Sequence, residues 1–408
     1  MDSPRFTRRA PMSERINLLA PEVRANPYPL YARLRQHAPV SQVDPGGIWA
    51  VSRYEDVMYV LKHPQLFSSE GFRQAYRPAW ISNYPLADSA LVMDPPRHTR
   101  LRGLINRAFG TSVLTRIEPR VREIAATIAA NLPEGQEVDF VEAFSVPMPM
   151  GVLGELLGLA PEVHPLLVRW AQHLAQFTSI GPADTARQEA MRATVNEARG
   201  HFERVLAERR RHPGDDLMSD LVQARMDGES LSDTELLGFM FLLLIGGLET
   251  TLHLMSHVAL RLHLQPELMT LLREQPALVP RFIEEALRHE PPAQGVMRLT
   301  SEETELGGVR LPRGVRMLLL MGSATRDEAY CADPDRFDPH RTAPQNLPFG
   351  HGIHFCLGSQ LARLEARLSL EALLARFTRL SAGTQPIQWN SSLIVRGPTR
   401  LPLVAHVD

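Results

Sequence analysis

The chain has 408 residues, 44% of them hydrophobic, and a formal net charge of −2. That balance can bury a large core and gives no basic surface for nucleic acid or an acidic membrane. Two cysteines, Cys331 and Cys356, are too few for a disulfide framework and fit a reducing cytoplasm.

Residues 1–11, M-D-S-P-R-F-T-R-R-A-P, carry charge but no apolar run, so they do not read as a signal peptide. Residues 47–52 (G-I-W-A-V-S) read as a strand, and most of 96–288 reads as helical. The clearest helix opens at L-S-D-T-E-L-L, where Ser232 suits the N-cap and Glu235, three residues on, completes a capping box. Its pattern runs to about Leu262. The apolar run ending at Leu248 falls short of the roughly 20 residues a bilayer requires, so a buried core helix is expected and no membrane anchor. Gly246 and Gly247 weaken that helix by roughly 1 kcal/mol each, which implies that something packs against the gap.

Farther on, residues 306–320 read as a hairpin and 389–407 have strand character. Residues 327–348, rich in Asp, Pro and Arg, form a loop long enough to have a job. No repeat or linker interrupts the chain. The reading is one domain, 1–408, mainly α with a small β region.

The most informative segment is F-G-H-G-I-H-F-C-L-G, residues 349–358, followed by the amphipathic run S-Q-L-A-R-L-E-A-R-L. Cys356 lies just ahead of a helix N-terminus, where the dipole and free N–H groups are expected to lower its thiol pKa. Gly350, Gly352 and Gly358 allow close backbone approach. A thiolate among N–H donors suits an axial ligand to haem iron, for which cytochromes P-450 are the standing example. Three other readings stay open for the residues alone: an ordinary buried cysteine, a nucleophile, and a zinc site from His351, His354, Cys356 and Cys331, although H-x-x-H-x-C is not a usual zinc spacing.

The segment resembles the haem-binding loop of cytochromes P-450, F-G-x-G-x-H-x-C-x-G, at every fixed position. The resemblance implies a cytochrome P-450 fold with the long central helix over a buried haem b (iron protoporphyrin IX). It implies Cys356 as the iron ligand, His354 as a propionate contact, and Phe349 and Gly350 beside the sulfur. G-G-L-E-T-T, residues 246–251, resembles the family's oxygen-binding signature. Gly246 and Gly247 would open a groove for O2, and Glu249 and Thr250 would deliver protons; Glu249 stands where many relatives carry Asp. D-P-P-R-H-T-R-L-R, residues 94–102, resembles a family helix whose His98 and Arg102 bind propionates, as does Arg298. Many relatives carry arginine where this chain has Gly103. Glu285-x-x-Arg288 resembles the family's E-x-x-R, with Arg341 as its later partner and a structural role.

The function so implied is insertion of one oxygen atom from O2 into an apolar small molecule of terpenoid, steroid, fatty acid or macrolide type. Leu242, Ile245, Val296 and Ile394 are expected in the pocket. With no electron source in the chain, a separate ferredoxin and an NAD(P)H-dependent ferredoxin reductase are expected. Arg97, Arg100, Arg107, Arg363 and Arg367 would be free for docking, and Arg102 committed to a propionate. The protein is expected to be a cytoplasmic monomer. A peroxide-driven peroxygenase and a non-catalytic haem or recruitment module are the alternatives.

Overall fold

A computed structural model describes residues 15–342 and 347–407. The N-terminal segment read for a signal peptide lies outside them, as do residues 343–346 of the long loop.

The capping box forms: Ser232 Oγ accepts from the Glu235 N–H at 3.3 Å, and the Glu235 carboxylate accepts from the Ser232 N–H at 2.8 Å. The helix it starts runs Asp233–Leu264, 32 residues, about 48 Å at 1.5 Å per residue. By length and composition it could cross a membrane, with mean hydropathy 1.6 over its best 18-residue window. The sequence argument from a short apolar run therefore does not hold. The helix instead packs inside the fold, against Pro85–Asp88, Pro147–Leu156, His164–Leu174 and Ser359–Arg376. At Gly238 a Cβ would lie 2.9 Å from the Asp88 backbone, so glycine sets how closely the chains approach. Ser256 and Ser145 pair their hydroxyls at 2.9 Å within this core.

Among the described residues the largest sheet has five strands, in the order Val40–Val43, Ile48–Val51, Arg316–Leu320, Gly295–Thr300, Phe67–Ser68, and a second has three, Glu137–Asp139, Pro402–His406 and Arg379–Ala382. Only the pair Ile48–Val51 with Arg316–Leu320 is parallel. The expected hairpin over 306–320 is corrected here. The actual hairpin joins Thr304–Leu306 to Val309–Leu311, because Gly307 and Gly308 adopt φ of 56° and 76° and close the turn. Arg316–Leu320 leaves it for the large sheet, since M-L-L-L is buried there on both faces. The C-terminal strands are Gln388–Trp389, Pro398–Arg400 and Pro402–His406.

Candidate active site

Residues 349–358 fold into two short 3-10 turns, Leu347–Phe349 and Gly352–His354, ahead of the helix Ser359–Arg376. Gly350 and Gly352 have φ of 81° and 73°. A Cβ at Gly352 would also lie 2.7 Å from the Leu61 carbonyl, so only glycine fits. The turn closes on itself: the Cys356 N–H donates to the Phe349 carbonyl at 2.9 Å. The Arg363 guanidinium lies 4.4 Å from the Phe349 ring centroid and pairs with Glu284.

The expected lowering of the Cys356 thiol does not occur. Burial pushes it up, and the Gly358 N–H, Arg102 and Arg363 pull back only in part. Yet the residue has accessible surface. A thiol both desolvated and accessible borders an internal hollow and not the outer surface. The zinc reading fails as well: no group of three or more metal-ligating side chains occurs among the described residues. Cys331 sits apart, beside Arg288 and Arg341.

Two arginines and two imidazoles converge on this loop. The helix Arg97–Ala108 carries His98 and Arg102, the strand Gly295–Thr300 carries Arg298, and the loop carries His354. The His98 and His354 rings lie 4.3 Å apart. Both His98 nitrogens and His354 Nε2 are buried without a hydrogen-bond partner. Burial and then Arg298, His98 and Arg102 push His354 down to about 3, and burial takes Arg298 down to about 10. Arg102 donates to the Phe355 carbonyl at 2.6 Å, and Arg298 to its neighbour's carbonyl at 2.7 Å. Neither forms an ion pair among the described residues. The nearby carboxylate, Asp94, is held by Ser68 and by the N–H groups of Ser69 and Glu70. Orphaned donors and unpaired buried cations form a cradle for carboxylates, which a haem bearing two propionates fits.

On the central helix, Gly246 is exposed between the buried residues Leu244 and Leu248. A Cβ at Gly246 or Gly247 would meet no protein atom within 4 Å. No described residue fills the gap, against which something was expected to pack. Thr250 Oγ1 donates back to the Gly246 carbonyl at 2.7 Å. Burial raises the pKa of Glu249, opposed by a hydrogen bond from Asn390. Sequence reading missed Asn390, which lies far along the chain in an irregular loop. Leu242 and Ile245 are half-buried on the Glu249 side of the helix, at spacings of seven and four. Val296 shares a strand face with Arg298, and Ile394 is 37% exposed on the loop whose carbonyl receives the Gln294 N–H at 2.7 Å.

Glu285 and Arg288 form a bidentate pair, both contacts 2.8 Å and both partners buried. Arg341 Nε reaches Glu285 at 3.2 Å, and the Asp338 N–H donates to the same carboxylate at 2.8 Å. Both arginines also donate to carbonyls of residues 325–336. The arginines expected to be free for docking are mostly engaged. Arg97 pairs with Glu70, Arg100 with Glu229 and Glu235, Arg363 with Glu284, and Arg367 with Glu118 and Glu371. Arg102 is held on Phe355. Only Arg107 of that set bonds nothing but a carbonyl, that of Arg225. Acidic neighbours distant in sequence, invisible in a local reading, account for most of the difference; only Glu371 stands on the same helix as its arginine. Gly103 has a local cause too: a Cβ there would lie 2.9 Å from Met226 Sδ.

The family model described as cytochrome P-450 matches residues 162–403. The chain is 37% identical over 369 residues to cyclomarin C epoxidase CymV of Salinispora arenicola, covering 90% of this chain and 93% of the relative. The solved structure of cytochrome P-450 CYP109Q5 from Chondromyces apiculatus superposes with a TM-score of 0.88 at 39% identity, covering 96% of this chain and 98% of that one. CYP109E1 from Bacillus megaterium in complex with corticosterone gives a TM-score of 0.84 at 32% identity, covering 95% and 100%.

Proposed function

The chain belongs to the cytochrome P-450 family, and on that premise we propose how its residues divide the work of a haem-thiolate monooxygenase. The bound haem supplies activation of O2, one atom of which enters the substrate. The observation that carries the residue assignment is the convergence of His98, His354, Arg102 and Arg298 around the Cys356 loop, with neither arginine in an ion pair among the described residues.

Cys356 would hold the haem iron as a thiolate, with the charge of the iron and the Gly358 N–H opposing the upward push of burial on its thiol. His98, Arg102, Arg298 and His354 bind the propionates. Phe349, under Arg363, shields the sulfur, and Gly350 makes the turn. Gly246 and Gly247 leave open space in which O2 could bind. Glu249 keeps a proton to higher pH than a surface carboxyl, and the Thr250 hydroxyl hands it on by releasing the Gly246 carbonyl. Glu285, Arg288 and Arg341 pin the loop beneath the site and take no part in the chemistry.

Like bacterial relatives, the enzyme takes electrons from a separate protein. A ferredoxin with an NAD(P)H-dependent reductase is the partner proposed, docking on the face nearest Cys356 through Arg107. The two free cysteines suit a cytoplasmic setting. The substrate is an apolar small molecule bounded by Leu242, Ile245, Val296 and Ile394, and the corticosterone-bound relative makes steroids the first class to test. The Glu249–Thr250 pair favours O2 over peroxide as oxidant and a catalytic over a recruitment role. A spectral binding screen, followed by product formation with a surrogate ferredoxin and reductase beside a peroxide assay, tests the reading. Product formation with peroxide alone would replace it.

A further inference from the structure

Glu249 must regain a proton after each one it delivers. Its own helix carries an answer. Glu249, His253 and His257 stand at i, i+4 and i+8 on Asp233–Leu264, so they share one face at steps of about 6 Å. A single loop covers all three. Asn390 bonds to Glu249. Gly397, cross-bonded to Asn390 at 3.1 and 3.3 Å, lies directly on His253: a Cβ there would be 2.2 Å from the ring. The Trp389 ring centroid is 6.2 Å from that of His257.

The two imidazoles are buried and under-used. His253 Nδ1 and His257 Nε2 have no hydrogen-bond partner, and no bond to His253 Nε2 occurs among the described residues. His257 Nδ1 faces the Glu290 carbonyl at 2.9 Å, and a carbonyl only accepts, so that nitrogen carries the hydrogen and Nε2 the lone pair. The charges around them, Arg24, Arg396, Arg261 and Glu290, leave both rings neutral, with pKa values down to about 3 and 4, burial being the main cause. His257 also lines a surface crevice with Leu260, Arg261, Leu264, His289 and Phe337, and Leu264 at its edge is 58% exposed.

We infer that this face of the central helix is a proton-supply route, in which His253 relays protons to Glu249 and His257 positions the water that feeds it from the crevice. The inference rests on the proton-delivery role of Glu249. A bridging water at each step would complete the path between the side chains. At His253 one nitrogen accepts a proton from the crevice side as the other releases its own toward Glu249, so the ring ends neutral and one proton has advanced. His257, with Nδ1 tied to a carbonyl, passes nothing through its ring; its Nε2 accepts from the water and orients it.

The test is deuterium exchange at the Glu249 carboxyl in the resting holoenzyme. It is followed by infrared spectroscopy on the acid C=O band that disappears in Glu249→Gln. His253→Leu should slow exchange of that band at least tenfold without moving it. It should also raise the solvent isotope effect on turnover and divert NADPH from product. His257→Leu should slow exchange less, and His253→Gln, which keeps a hydrogen-bonding side chain, should recover part of the rate. If His253→Leu does not fold, the His257→Leu exchange rate alone decides. Parental exchange in the folded histidine variants overturns the route. Undiminished coupling in Glu249→Gln overturns instead the role of Glu249 on which it rests.

Discussion

Glu365 is an isolated buried acid. It lies on the helix behind Cys356, almost fully buried, with one carboxyl oxygen lacking any partner. Burial alone raises its pKa from 4.5 to about 8. The sign follows directly. Below pH 4.5 the acid is protonated folded and unfolded, and contributes nothing to stability. As pH rises, the unfolded chain ionises first and gains free energy, while the folded protein stays neutral until about pH 8. Wild-type stability therefore falls across this window, at about 1.4 kcal/mol per pH unit. At pH 7 the loss is roughly 3 kcal/mol, and at pH 5 roughly 1 kcal/mol. Glu365→Gln keeps the shape and cannot ionise. Its urea midpoint, followed by tryptophan fluorescence on the holoenzyme, should exceed the parental one clearly at pH 7.5 and only slightly at pH 5. A difference that stays constant from pH 5 to 8 would refute the reasoning and show that the carboxyl is solvated or paired in solution.

Cys356→Ser should lose the red-shifted band of the ferrous carbon monoxide complex, and a retained band would place the ligand elsewhere. Thr250→Ala should bind haem and substrate normally but release reducing equivalents as peroxide; unchanged coupling of NADPH to product would remove the hydroxyl from proton delivery. Glu285→Ala strands Arg288 and Arg341 without their carboxylate, a change that costs about 3–5 kcal/mol when one partner of a buried pair is removed. The expected protein is poorly expressed and low in haem, and a fully loaded, stable variant would contradict the anchoring role. Reduction by ferredoxin should slow as ionic strength rises, and slow further in Arg107→Glu with substrate affinity unchanged. Reduction insensitive to both would put the docking face elsewhere.

Much of the site was legible because its parts are short-range. The glycines at 350 and 352 answer to the backbone of a tight turn, and the capping box at Ser232 and Glu235 is closed within one helical turn. The i,i+3 spacing of Glu285 and Arg288 is likewise contained in one helix, so residue type and spacing were enough. What spacing could not supply was the balance of competing long-range terms. The Cys356 thiol was expected low from its helix N-terminus and is high, because desolvation depends on everything packed around it. The arginines near it looked free, yet Glu70, Glu229, Glu284 and Glu118 reach them from other elements. Arg316–Leu320 was assigned to the wrong pairing because a strand buried on both faces carries no mark of its neighbours. Likewise, the alignment of Glu249, His253 and His257 is written in the helix repeat. That one loop covers all three, and that His253 Nδ1 and His257 Nε2 lack partners, follows only from the tertiary packing around them.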